Sequence, residues 1–153
     1  MFRDCYNLKK INFGNIDTSS VVDMKGLFYN CTNLSSIDVS KFDTSKVCTM
    51  EEMFYNCQSL STIDVSNFNT SKVESFRICF YNCYALEYID ISNFNTSIVT
   101  NMEAMLYNCS SLLSIDVTNF NTKNVKTIGY LFYNWITNMQ YLFFNLSRLE
   151  SID

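Results

Sequence analysis

The stretch Leu34-Ser-Ser-Ile37-Asp-Val39-Ser-Lys-Phe42-Asp-Thr-Ser-Lys-Val47-Cys-Thr-Met50-Glu-Glu-Met53-Phe54-Tyr-Asn-Cys57 decides the fold, because its pattern recurs along the 153-residue chain. The interval is 26 residues, and it is plainest in the cysteines Cys5, Cys31, Cys57, Cys83 and Cys109. A period of this size indicates one structural unit per repeat, with neighbouring units stacked on a shared core.

Each repeat contains two different apolar periodicities. Ile37 and Val39 alternate with polar residues, which is the pattern of a strand with one buried face. From Val47 through Met50 to Cys57 the apolar residues recur at steps of three and four, which predicts a short helix starting near Met50. One strand and one short helix cannot bury their apolar faces alone. The sequence therefore predicts an α/β solenoid with a parallel sheet on one face and a short helix per 26-residue repeat.

The motif string also resembles a known family. Leu34-x-x-Ile37-x-Val39-x-x-Phe42 resembles the strand signature of leucine-rich repeats, with Phe where Asn or Cys is usual. Its continuation, Met50-x-x-Met53-Phe54-Tyr-Asn-Cys57-x-x-Leu60, resembles the BspA-like leucine-rich repeats of bacterial surface proteins, in particular the Met-Phe-rich domain of unknown function in mycoplasma lipoproteins. The resemblance implies a curved, non-enzymatic solenoid that is displayed at a cell surface and associated with adhesion. It supplies no functional residues to carry over.

The repeats account for residues 1–153 as one domain of five to six repeats, with Met1 and Asp153 both falling inside a repeat. We therefore expect a fragment of a longer repeat protein or a shortened gene product. The first residues contain no apolar segment typical of a signal peptide. The resemblance predicts a cell-surface or extracellular location, whereas a complete chain of this sequence would be cytoplasmic.

The C-terminal repeat, residues 128–153, is irregular. Trp135 stands where a cysteine is expected, and the pattern restarts at Ile136 with 15 residues missing relative to two intact repeats. Ile128 and Met139 are consequently 11 residues apart, about three helical turns, so their apolar faces stay in phase. This spacing predicts one helix over residues 127–146, and two short helices joined by a kink remain the alternative.

Composition excludes several classes of function. The chain has no His, which rules out His-based catalytic triads and His-ligated metal sites. Its net charge of −4 argues against a nucleic-acid partner, and no apolar run is long enough to span a membrane. The cysteines form no Cys-x-x-Cys pair, so we predict buried, reduced thiols without metal or other cofactor, and Cys48 as the most exposed thiol.

The outward face of the predicted sheet carries the candidate binding residues. Its centre is an acidic column, preceded and followed by mostly hydroxyl-bearing columns: Asp38, Asp64, Asp90 and Asp116, with Ser36, Thr62, Tyr88 and Ser114 before them and Ser40, Ser66, Ser92 and Thr118 after them. This surface would suit a basic protein segment, a glycan or Ca²⁺, with Tyr88 as a central aromatic contact. Two simpler interpretations stay open, since the acids could only keep the face soluble or could bond the neighbouring hydroxyls.

Three further columns have a structural interpretation. The asparagines Asn30, Asn56, Asn82, Asn108 and Asn134 resemble an amide ladder between stacked repeats, and Thr18, Thr44, Thr70, Thr96 and Thr122 are predicted to be structural as well. Tyr29, Tyr55, Tyr81, Tyr107 and Tyr133 are predicted to cover the neighbouring repeat.

The predicted function is a surface-displayed interaction or adhesion module that binds a protein or glycan through the sheet face. An intracellular leucine-rich-repeat scaffold, and a fragment without independent function, are the alternatives. We predict no enzymatic activity, because the carboxylates of the acidic column lie on an open, regular face rather than in a cleft. The unpaired ends of such a stack also predict end-to-end self-association.

Overall fold

Alternating burial produces two regular strands in the part of the chain that the structure describes. The structure is a computed structural model, and it describes residues 1–134. Strand β1 is Thr62–Ile63 and strand β2 is Tyr88–Ile89, and in each the first residue is exposed and the second is buried. The strands pair in parallel, with Thr62 opposite Tyr88 and Ile63 opposite Ile89. Equivalent residues of consecutive repeats therefore lie side by side, as the 26-residue period predicts.

A second line of parallel contacts runs along the other side of the repeats. Single-residue bridges join Asp23 to Thr49, Thr49 to Ser75, Ser75 to Asn101 and Asn101 to Thr127. Each repeat thus forms one rung that is bonded to the next rung at two separate places. Between these two lines lies a continuous apolar core, in which the rings of Phe28, Phe54 and Phe80 stack at 5.3 Å.

The segment that was predicted to be a short helix is a series of turns. Met53 N–H donates to Met50 O at 3.3 Å and Cys57 N–H donates to Phe54 O at 3.2 Å, so these bonds close three-residue steps. Phe54 N–H instead leaves the segment and donates to Cys79 O of the next rung at 2.8 Å. An α-helix would satisfy these amides within its own turns. The predicted helix is therefore wrong for the described repeats, and residues 1–134 contain no α-helix.

Backbone dihedral angles give the physical reason. Two positions of each turn segment have positive φ: Gly26, Glu52, Ile78, Ala104 and Tyr130 at the first, and Asn30, Asn56, Asn82, Asn108 and Asn134 at the second. A left-handed residue every four positions cannot belong to a right-handed helix, whereas the third residue of a type II turn requires positive φ. Inward-facing residues recur at three- and four-residue steps both in an α-helix and in this series of turns. The apolar spacing therefore does not distinguish the helix from the turns.

The same turns continue into the irregular repeat. Thr127 forms the last bridge, Leu131 N–H donates to Ile128 O at 3.2 Å, and Tyr130 has a φ of 59°. The helix predicted over 127–146 is therefore absent from its first part, residues 127–134. The deletion predicted at Trp135, and the remainder of that helix, lie outside the described residues.

The cysteine column lies where the sequence predicts it. Cys31, Cys57, Cys83 and Cys109 are buried and free, while Cys5 and Cys48 are half-buried. Each buried thiol of the column is close to a backbone carbonyl of the preceding rung, as with Cys57 Sγ, which donates to Phe28 O at 3.3 Å. Desolvation raises the pKa of the Cys31 thiol to about 11, so this thiol remains protonated at neutral pH. Over residues 1–134, no helix is long and apolar enough to cross a membrane.

Candidate interaction surface and side-chain ladders

The candidate face is exposed, as predicted. All four aspartates of the acidic column are exposed, and of the residues flanking them only Ser92 is half-buried. Tyr88 begins strand β2 and is 56% exposed. The structure therefore brings the predicted residues together on one surface of the stacked rungs, with the buried Ile63 and Ile89 beneath them.

Each aspartate of the acidic column closes a turn at the end of its strand segment. Asp38, Asp64, Asp90 and Asp116 accept, through Oδ1, the backbone N–H two residues later, at 2.9–3.0 Å. The hydroxyls of Ser92 and Thr118 also donate to Asp90 and Asp116, at 2.7 and 2.6 Å. At Asp64, bonds from the Ser66 hydroxyl and then the Ser66 backbone lower the carboxyl pKa. The interpretation in which these acids bond neighbouring hydroxyls is thus correct for at least part of the column.

The turn itself does not require a charge. In the first rung Asn12 occupies the same position, and its Oδ1 accepts Gly14 N–H at 2.9 Å. A second corner of the rungs uses both residue types in the same way: Asp43 caps Ser45 at 2.9 Å, and Asn69 caps Ser71 at 3.1 Å. An amide oxygen therefore replaces a carboxylate oxygen in this geometry.

A buried threonine ladder ties the rungs together behind this face. Thr70 Oγ1 accepts Asn95 N–H at 2.7 Å and donates to Asn95 O at 3.3 Å, so one hydroxyl satisfies both backbone groups of the same residue. Thr18, Thr44 and Thr96 repeat the arrangement, and all four threonines are at most 6% exposed. The prediction of a structural threonine column is confirmed for these four residues, whereas Thr122, its fifth predicted member, is half-buried.

An asparagine ladder runs along the turn side, as predicted. Asn56 Nδ2 donates to Asn30 Oδ1 at 2.9 Å, and the same bond recurs in each successive rung at 2.7–3.0 Å. At the first rung Asn30 donates to Asp4 Oδ1 at 2.8 Å. A carboxylate accepts without offering an N–H of its own, so Asp4 ends the ladder with every described amide donating to a partner.

Beside the amides, five tyrosines form one parallel stack. Ring centroids of consecutive members are separated by 4.5–5.0 Å, and interplanar angles are at most 13°. The Arg3 guanidinium covers the outer face of Tyr29 at 3.7 Å from its centroid. Gly26 makes room for it, since a Cβ there would lie 2.8 Å from Arg3 Nη1. The tyrosine faces contact one another, which confirms that these rings cover the neighbouring rung.

A column of alternating charge, which was not predicted from the sequence, also joins the rungs. Lys25 Nζ lies 2.8 Å from Glu51 Oε2, and Arg77 Nε lies 3.0 Å from Glu103 Oε2. Glu51 also accepts the Ser75 hydroxyl at 2.7 Å. The signal was present, because these four charged residues follow one another at the 26-residue interval with alternating sign. Such pairs favour the observed register over a slipped one.

One shallow cavity of about 240 Å³ lies at the N-terminal end of the face. It is lined by Ile11, Asn12, Phe13, Gly14, Asp38 and Lys41, and Lys41 Nζ donates across it to Gly14 O at 3.0 Å. Throughout the described part of the chain, no group of three or more Cys, Asp or Glu residues is arranged to hold a metal ion.

Comparison with known proteins identifies a family rather than a function. No curated protein and no solved structure matches the chain. A family model described as "Mycoplasma protein of unknown function, DUF285" matches residues 1–109 and again residues 64–138. The two matches together cover most of the 26-residue repeats, and the chain therefore belongs to the DUF285 family of mycoplasma proteins of unknown function.

Proposed function

We propose that the chain is a non-enzymatic interaction module, displayed at a cell surface, that binds a macromolecular partner through the acidic face of its rungs. We further propose that the stack is a leucine-rich-repeat-like solenoid. Rung-to-rung backbone bonds that recur at offsets of 25 and 26 residues support this architecture. Adhesion is the biological role that such a display would serve.

A single observation supports the proposal: each turn requires the side-chain oxygen of its aspartate but not the negative charge. Asn12 supports the same turn without a charge, and the second corner uses Asn69 as readily as Asp43. Like charges on adjacent rungs repel, and this repulsion partly offsets the hydrogen bonds that each carboxylate accepts within its turn. A partner that neutralises the row would offset this repulsion.

The chemistry of the face favours a basic protein segment as the partner. The turn occupies Oδ1 of each carboxylate, and all four aspartates are exposed. The flanking hydroxyls of Thr62 and Ser66 can donate or accept. Tyr88, 56% exposed within this face, would supply the large aromatic contact on which protein interfaces depend.

The test compares two charge-matched double variants. Asp64→Asn/Asp90→Asn removes two charges from the face, and Asp17→Asn/Asp43→Asn removes two from the other corner, where the aspartates also cap a serine N–H at 2.9 Å. Both variants keep an amide oxygen for each turn. Binding would be measured by biolayer interferometry against immobilised lysine-rich, neutral and acidic peptides of equal length.

We expect the parent chain and the corner variant to bind the lysine-rich peptide alike, and the face variant to bind it at least about tenfold more weakly, a loss of about 1.4 kcal/mol. Equal weakening in both variants would show that net charge alone attracts the peptide. No selective binding by the parent chain would reject the proposed partner class.

A further inference from the structure

The tyrosine stack has a chemical property that its structural role does not require. Tyr29, Tyr55, Tyr81 and Tyr107 are half-buried, and Tyr133 is 46% exposed. Consecutive rings are nearly parallel, with the closest centroid pairs 4.5 Å apart. Phenylalanine stacks equally well in the core column at 5.3 Å, so packing alone does not account for five hydroxyls.

Neighbouring rings of the stack lie face to face from one rung to the next. Because the rings are nearly parallel, the carbons ortho to the hydroxyl of one tyrosine lie close to the ring of the next tyrosine. Desolvation, followed by the influence of Tyr29, raises the pKa of Tyr55, and desolvation, followed by the influence of Tyr107, raises that of Tyr81. The ortho carbons and the phenolic oxygen share the unpaired electron when a tyrosine is oxidised by one electron.

We propose that the stack is a site of oxidative modification, in which a peroxide-driven one-electron oxidant couples neighbouring tyrosines to dityrosine and ties one rung covalently to the next. Two phenols each lose one electron to the oxidant and one proton to water. The two radicals form one carbon–carbon bond between ortho carbons, and the hydrogen on each of those carbons moves to its ring oxygen, which restores both phenols. Hydrogen peroxide is reduced to two molecules of water, and the chain loses two hydrogen atoms per bridge.

Geometry makes coupling within the chain faster than coupling between chains. A ring held 4.5–5.0 Å from its neighbour has an effective concentration far above that of a second chain at micromolar concentration. The two rings must turn out of the parallel arrangement to bond. All five side chains are at least partly exposed to solvent, which allows this rotation.

The test treats dilute folded chain with a haem peroxidase and hydrogen peroxide. Dityrosine would be measured by its fluorescence, its chain-to-chain share by denaturing gel, and its position by mass spectrometry of peptides. Tyr55→Phe/Tyr107→Phe leaves no two adjacent tyrosines in the stack and keeps all five rings. Tyr6→Phe/Tyr88→Phe is the matched control, since it removes two exposed tyrosines outside the stack.

We expect bridges between tyrosines 26 positions apart, in monomeric chains, from both the parent chain and the control. The yield of these bridges in the stack variant should be at least about tenfold lower than in the parent chain. Unfolding the parent chain in urea before oxidation should abolish the preference for these pairs. The proposal is overturned if most dityrosine joins separate chains, if the stack variant retains the parent yield, or if the same pairs dominate in the unfolded chain.

Discussion

Position 78 provides a direct test of the turns that replace the predicted helix. Ile78 has a φ of 48° and is half-buried. In the left-handed region a residue with a Cβ is less stable than glycine by about 1–2 kcal/mol, because the Cβ approaches a carbonyl oxygen. In a helix interior the order is reversed, and glycine is less stable than alanine by about 1 kcal/mol.

The pair Ile78→Ala and Ile78→Gly therefore distinguishes the two conformations by the sign of their difference. Both variants lose nearly all of the isoleucine side chain. The loss of buried apolar surface is therefore almost the same in both and cancels when their free energies of unfolding are compared. The positive φ predicts that the glycine variant is more stable than the alanine variant by about 1 kcal/mol. Urea unfolding followed by circular dichroism and by tyrosine fluorescence would give the two free energies of unfolding.

Ile98 is the matched control, since it is an exposed isoleucine without positive φ. There the alanine variant should be the more stable one, by about 0.5–1 kcal/mol. If alanine is more stable than glycine at both positions, Ile78 is not left-handed in solution, and the description of this segment as turns is refuted.

Four further outcomes follow from the ladders, the acidic column, the thiols and the core. Thr70→Val keeps the shape of the side chain but leaves both Asn95 backbone groups without their hydroxyl partner, so urea unfolding should show a loss of about 2 kcal/mol. Because the folded-state pKa of each acidic-column aspartate lies below its ordinary value of 3.8, their stabilisation is present above that pH and is lost as the pH falls through the folded pKa. A variant with all four changed to Asn should therefore lose less of its urea midpoint than the parent chain does as the pH falls below about 4. A thiol reagent at pH 8 should react quickly with Cys5 and Cys48, and with the five buried thiols only after unfolding. Phe68→Ala, which truncates a side chain that is 4% exposed, should cost about 3 kcal/mol, measured in the same way.

Identity between repeats made the ladders predictable from sequence. Asn56 follows Asn30 by one period, so the stacking of equivalent residues places their two amides in contact. This holds for any backbone conformation that keeps the repeats in register. The backbone conformation was not predictable in the same way, because apolar spacing is shared by helix and turns. Asn30 and Gly26 were the available signals of positive φ, but Ile78 and Tyr130 occupy the Gly26 column and disfavour that conformation.

The candidate face shows a different limit of sequence reasoning. Alternation along Ile37, Asp38 and Val39 was enough to place the aspartate outside, and the structure agrees. The sequence could not separate an aspartate that closes a turn from one that faces a partner, since one residue type serves both purposes. Oδ1 of Asp64 is committed to the Ser66 backbone, and Asn12 shows that an uncharged oxygen would be sufficient for that bond. The turns do not require the negative charge on four consecutive rungs, and in the proposed function that charge serves to attract a basic partner.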